Sequence, residues 1–121
     1  MPDNIRDIAR IILACIRLIN GAAALVAPKL LLRNLGVDPN TNPAALYALR
    51  MFGIRTVIIG AELLFSTGEI RARSVRAAVV IHASDVGAAL LAGLPPRGRR
   101  TAALISAVNT ILAILAQPRK A

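Results

Sequence analysis

Ionisable side chains stand near the centres of long apolar runs, and that placement leaves few folds open to the chain. Arg17, Arg55 and Asp85 each interrupt a stretch of Ala, Leu, Ile and Val. A charge at the centre of a bilayer-spanning helix costs about 2.5–3.5 kcal/mol on insertion scales, and an unpaired charge in a dry protein core costs more. The charges must therefore face inward together. The stretch Arg50 to Glu62 shows the pattern most clearly. Arg55 and Glu62 share one helical face, while Gly53 and Gly60 leave a strip without side chains on nearly the opposite face, where a neighbouring helix can come close.

Hydrophobic residues make up 56% of the chain and charged residues 17%, with a mean hydropathy of +0.64, which departs from the usual balance of a soluble domain. Tyr47, Phe52 and Phe65 are the only aromatics, and no segment alternates as a strand would. The expected fold is all-α: a four-helix transmembrane bundle running up-down-up-down, one membrane domain over 1–121 with helices at about 4–27, 43–67, 71–93 and 99–117. The net charge of +9 comes largely from arginines scattered at segment ends. Without a basic stripe or an aromatic stacking surface, this points to anionic membrane lipids and excludes nucleic acid. Cys15 is the only cysteine, so no intrachain disulfide forms, and its apolar surroundings predict a buried, inert thiol. One His and few acids give no metal-ligand spacing, so no metal is expected.

Along the chain, Arg17, Asn20, Gly21 and Ala24 fall on one stripe of the first segment, with Arg6 and Arg10 read as the solvated first turns. Acids at 3 and 7 and arginines at 10 and 17 do not suit a signal peptide, so this segment reads as the first helix. Pro28 ends it, Lys29 to Arg33 form a short interfacial turn, and a breaker-rich loop follows. Asn42 before Pro43 is the expected N-cap of the second helix, and Gly68 its C′ residue. Thr101 to Gln117 carries no charge and is the cleanest candidate span. The N-terminal side of the spans collects Arg6, Arg10, Arg71, Arg73, Arg76, Arg119 and Lys120, against Lys29, Arg33, Arg97, Arg99 and Arg100. This places a multi-pass protein in the plasma membrane with both termini cytoplasmic.

Folding the second and third segments back on each other about Gly68 sets Arg55 within one turn of His82 and Asp85, and Glu62 opposite Arg76. Two structural ion pairs are predicted, Arg55 with Asp85 and Glu62 with Arg76. Asn20 and Asn109 complete the polar cluster with Arg17, and Ala102, Ser106, Asn109, Ala113 and Ala116 make a small-residue seam. Three uses are open to the cluster. It can be structural glue, a site for a lipid head group or small anion, or a proton relay for transport or catalysis through His82 and Asp85. No catalytic motif is present, and a binding or accessory subunit is expected, with a small transporter or proton-coupled carrier as the alternative.

The motifs Gly21-Ala-Ala-Ala-Leu-Val-Ala-Pro28, Arg50-Met-Phe-Gly-Ile-Arg55 with Gly60, and His82-Ala-Ser-Asp85 resemble a family of small four-helix integral membrane proteins of unknown function, common in actinobacteria. The architecture is more distantly similar to DoxX-like membrane proteins, some of which are accessory subunits of quinone-linked oxidoreductases. That resemblance implies a partner membrane protein or a homo-oligomer. No cofactor residue matches, so no cofactor is expected.

Overall fold

Proline and glycine set the borders of the helices. The computed structural model describes residues 3 to 118. Among them are five helices, α1 (Asp3–Val26), α2 (Pro28–Asn34), α3 (Pro43–Phe65), α4 (Gly68–Leu91) and α5 (Pro96–Leu115), with a 3-10 turn at Pro39–Thr41 and no strand. The helix beyond the expected four is α2, in place of a mere interfacial turn. Pro28, which ends α1, also opens α2, because a residue with no N–H to lose and a fixed φ suits the first helical position. Arg119 and Lys120, which weigh in the orientation expected from charge, lie outside the described residues.

Two caps differ from expectation. Asn42 precedes α3 but makes no side-chain cap; its amide instead donates to the Asp38 carbonyl at 2.7 Å and to Thr41 Oγ1 at 3.1 Å, tying the loop to itself. Gly68 does not close α3, which ends at Phe65 with Ser66 as C-cap. With φ at +59°, Gly68 is the left-handed residue that lets the chain turn into α4. Arg71 Nε then donates to the Ser66 carbonyl at 2.7 Å and seals the turn.

The glycine strip of α3 receives α1. A Cβ on Gly53 would stand 2.7 Å from the Gly21 carbonyl oxygen, and one on Gly60 would stand 3.2 Å from that of Ala14, so the two backbones nearly touch and run antiparallel. This is the most extensive helix pairing, followed by α4 with α5; α1 joins the two pairs through α5. Helices α3 and α4 are linked by only Ser66 and Thr67, yet they share few close approaches. The tight hairpin expected there is replaced by a loosely packed seam. The cause lies in the sequence: the side-chain-free strip draws α3 onto α1, while Val75 and Ala78 of α4 join Ala113 and Ala116 of α5 in one buried cluster.

The interior is built largely of small and polar side chains, and many large apolar ones lie outside. Among the described residues, seven of the eleven buried hydrophobic ones are Ala, and Arg10, Arg17, Thr56, Ser74, His82 and Asn109 are buried among them. Among the described residues no isoleucine is buried; on α1 alone Ile5, Ile8, Ile11, Ile12 and Ile19 face outward. The inward stripe of α1 is the one that carries Arg10, Arg17, Gly21 and Ala24. Cys15 belongs to the outer face and is exposed, which corrects the expectation of a buried thiol.

By length and composition, α1 and α4 are apolar enough to cross a membrane. The stretch expected to be cleanest is not among them. Helix α5 begins at Pro96, taking in Arg97, Arg99 and Arg100, and stops at Leu115, so its uncharged part is short and also holds Ser106, Asn109 and Thr110.

Candidate functional site

Arg17 projects from the middle of α1 into the bundle and is only 3% exposed. Its Nη1 lies 3.3 Å from Nδ1 of His82, which α4 places in the interior with no exposure at all. Guanidinium groups only donate, so this contact is a hydrogen bond when Nδ1 is the unprotonated nitrogen of the ring and Nε2 carries the proton. One helical turn on, Asp85 Oδ2 stands 3.7 Å from the same Nδ1, and its side chain is 40% exposed. The imidazole thus sits between a buried guanidinium and a half-exposed carboxylate. A proton on Nδ1 would turn the ring from a partner of Arg17 into a partner of Asp85, so the two contacts exclude each other.

The predicted pair of Arg55 with Asp85 does not form. Arg55 is exposed on α3 and makes no hydrogen bond or ion pair among the described residues. The looseness of the α3–α4 seam explains the difference, since the pairing relied on a tight hairpin. Both residues instead line one cleft of about 390 Å³, bounded by Arg17 of α1, by Phe52, Arg55 and Thr56 of α3, and by Ile81 and Asp85 of α4. Thr56 is 1% exposed, and neither its hydroxyl nor Arg17 Nε has a hydrogen-bond partner among the described residues.

Glu62 and Arg76 do not pair either. Ser74, the residue of α4 that faces the end of α3, donates its hydroxyl to Glu62 Oε2 at 2.6 Å, a charge-assisted bond. Arg76 turns outward to Glu69 at 3.5 Å, where both side chains are largely in the open and the contact adds little. Gly53 and Gly60 do serve as packing positions, against α1.

The six-residue cluster read from the sequence divides in two. Arg17, Arg55, His82 and Asp85 gather on the α3–α4 side, while Asn20 and Asn109 line a separate groove between α1 and α5. Asn109 is buried with its Oδ1 unpartnered among the described residues, and Asn20 is half-buried.

Sequence reasoning misses Thr56, although Gly53, Thr56 and Gly60 stand at steps of three and four and so share a face. It also misreads Arg10 as solvated. Arg10 is 8% exposed; its Nη1 donates to the Leu63 carbonyl at 2.6 Å and its Nη2 lies 3.5 Å from Asp7. Leu63 lies in the last turn of α3, where carbonyls run out of helical partners, and a long basic side chain from α1 supplies one. At the other pair, Gln117 Nε2 ties α5 to α4 through the Val75 carbonyl at 3.1 Å. No family model, curated protein or solved structure matches the chain.

Proposed function

We propose that the chain is a small multi-pass membrane protein that works by binding, as an accessory subunit or ligand holder, rather than by catalysis. The single observation that carries this reading is the inversion of core and surface: isoleucines outside, alanines and hydrogen-bonding groups within. In water, this many exposed isoleucines, leucines and valines would favour aggregation. In lipid such residues form the surface that the solvent favours, and small residues with interior polar contacts are what hold helices together there. Helices α1 and α4 supply apolar spans. Helix α3 crosses with Arg55 turned into the cleft, and α5 with its three first-turn arginines reaching to the interface. Such an arrangement is of the kind implied by the resemblance to small four-helix membrane proteins, with lipids and a partner membrane protein or second copy as its company.

Cys15 provides the test without any engineering, because it lies midway along α1 on the outer face. In intact membranes it is expected to react with a charged, membrane-impermeant maleimide at least about tenfold more slowly than after solubilisation in denaturing detergent, since a charged reagent does not enter the hydrocarbon that would cover this face. Equal labelling by the impermeant reagent in both states would overturn the membrane reading.

A second reading, proton-coupled carriage, is favoured by one feature, the placement of His82 Nδ1 within reach of both Arg17 and Asp85. It predicts that proteoliposomes show pH-driven flux of a solute and that His82→Ala or Asp85→Asn abolishes it. The binding reading predicts no flux in the wild type and retained association with ligand or partner in His82→Ala.

A further inference from the structure

The cleft between α1, α3 and α4 has more donors than acceptors. Arg17 Nε and Thr56 Oγ1 are buried without partners, and the Arg55 guanidinium at its mouth bonds to nothing among the described residues. The desolvation of such groups is recovered only when an acceptor arrives. Charge points the same way. Two guanidiniums face one carboxylate, Asp85, which leaves one positive charge in excess when His82 is neutral. The remaining walls are apolar, formed by Met51, Phe52, Ile59 and Ile81, and the opening lies at the loosely packed α3–α4 seam. Positions 48 to 59 of α3 contribute to the lining, a length of about 16 Å along the helix, enough for an extended hydrocarbon segment.

We infer that this cleft holds an amphiphile whose head group bears a single negative charge, with its tail laid along the apolar wall of α3. A neutral head group would leave the excess positive charge uncompensated, and a second negative charge would meet Asp85. His82 does not bind the ligand; as a positioning residue it accepts from Arg17 Nη1 and fixes that guanidinium at the back of the cleft. Two sources share the required chemistry, a free long-chain carboxylate and a phosphodiester lipid. The inference rests on the membrane reading, because lipid-phase supply is what would bring such a molecule to the seam.

The test is calorimetric titration of the purified chain in a neutral detergent, at a pH where the carboxylate is ionised, with palmitate, phosphatidylglycerol and hexadecanol as probes. All comparisons are made at one micelle concentration. Palmitate, phosphatidylglycerol or both bind at least about tenfold more tightly than hexadecanol, and whichever binds names the source. Arg55→Gln weakens that binding by about tenfold or more; because the Arg55 side chain is exposed, its melting curve should match the wild type, which separates a binding defect from a folding defect. Asp85→Asn leaves monoanion binding intact or tighter and admits hexadecyl phosphate, which the wild type rejects. Equal affinity for hexadecanol and the anions, or an affinity unchanged in Arg55→Gln, overturns the inference. Should Cys15 prove shielded in membranes while no anion binds, the membrane reading stands and only this inference falls. Should Cys15 prove open to the impermeant reagent, the membrane reading falls and the Arg55 titration still decides the site.

Discussion

Gly53→Ala is expected to destabilise the folded chain in detergent by about 1–3 kcal/mol, while Gly87→Ala leaves stability unchanged or raises it by about 0.5 kcal/mol. Both substitutions add one methyl group to a long helix, and both improve intrinsic helix propensity. Their surroundings differ. The new methyl at 53 would lie 2.7 Å from the Gly21 carbonyl oxygen and 3.0 Å from the Leu25 backbone nitrogen, two backbone atoms that cannot swing aside as a side chain can. The two helices must move apart, which weakens the most extensive helix pairing in the bundle. At 87 nothing lies within 4 Å, so only the gain in propensity remains. The measurement is thermal or denaturant unfolding followed by circular dichroism in a single detergent. If Gly53→Ala proved as harmless as Gly87→Ala, the close approach of α1 and α3 would be wrong, and with it the reason for the open α3–α4 seam.

That seam marks the boundary between what the sequence makes legible and what it does not. Helix existence follows from apolar runs bounded by Pro and Gly, and the inward stripe of α1 follows from the steps between Arg17, Asn20, Gly21 and Ala24, of which Asn20 is only half-buried. The small seam of α5 is legible in the same way: Asn109, Ala113 and Ala116 are buried, and Ala102 and Ser106 are half-buried. These are properties of one helix at a time. Pairing is a property of two. A short turn between segments predicts close neighbours, and on that basis alone Arg55 would meet Asp85 and Glu62 would meet Arg76. The Gly53–Gly60 strip carries the opposing information, since the deepest packing goes where side chains are absent, but spacing alone does not say which helix fills it.

The same limit applies to the buried polar groups. Arg10 sits near the start of the chain, where arginines are ordinarily solvated, and only the end of α3 lying beside it explains its burial. Ser74 and Thr56 are short polar residues with no spacing rule of their own. Each is explained by a neighbour, Glu62 for the first and the cleft for the second. What the composition does convey is the inversion itself. A chain with this much Ala and Ile, and arginines set inside its helices, has an apolar surplus that an interior of mostly Ala does not absorb, and the surplus lies on the outside.

A double-mutant cycle places the central charge interaction. The geometry assigns the coupling of Asp85 to Arg17 rather than to Arg55, because guanidinium and carboxylate flank the same His82 nitrogen at 3.3 and 3.7 Å while Arg55 has no partner among the described residues. Asp85→Ala is expected to destabilise by about 2 kcal/mol, less than the roughly 3–5 kcal/mol typical of breaking a fully buried pair, because the Asp85 side chain is 40% exposed and partly screened. Most of the effect comes from leaving Arg17, at 3% exposure, with no acid nearby. In Arg17→Gln that burden is gone, and adding Asp85→Ala should then cost little more, giving a coupling energy of about 1–2 kcal/mol. The cycle of Arg55→Gln with Asp85→Ala should close to within about 0.5 kcal/mol. A large Arg55–Asp85 coupling beside a negligible Arg17–Asp85 one would reverse the assignment and restore the direct α3–α4 ion pair. With Asp85 set beside Arg17 rather than Arg55, Arg55 stays an unengaged cation at the mouth of the cleft, which is why its neutralisation should weaken ligand binding and leave the fold alone.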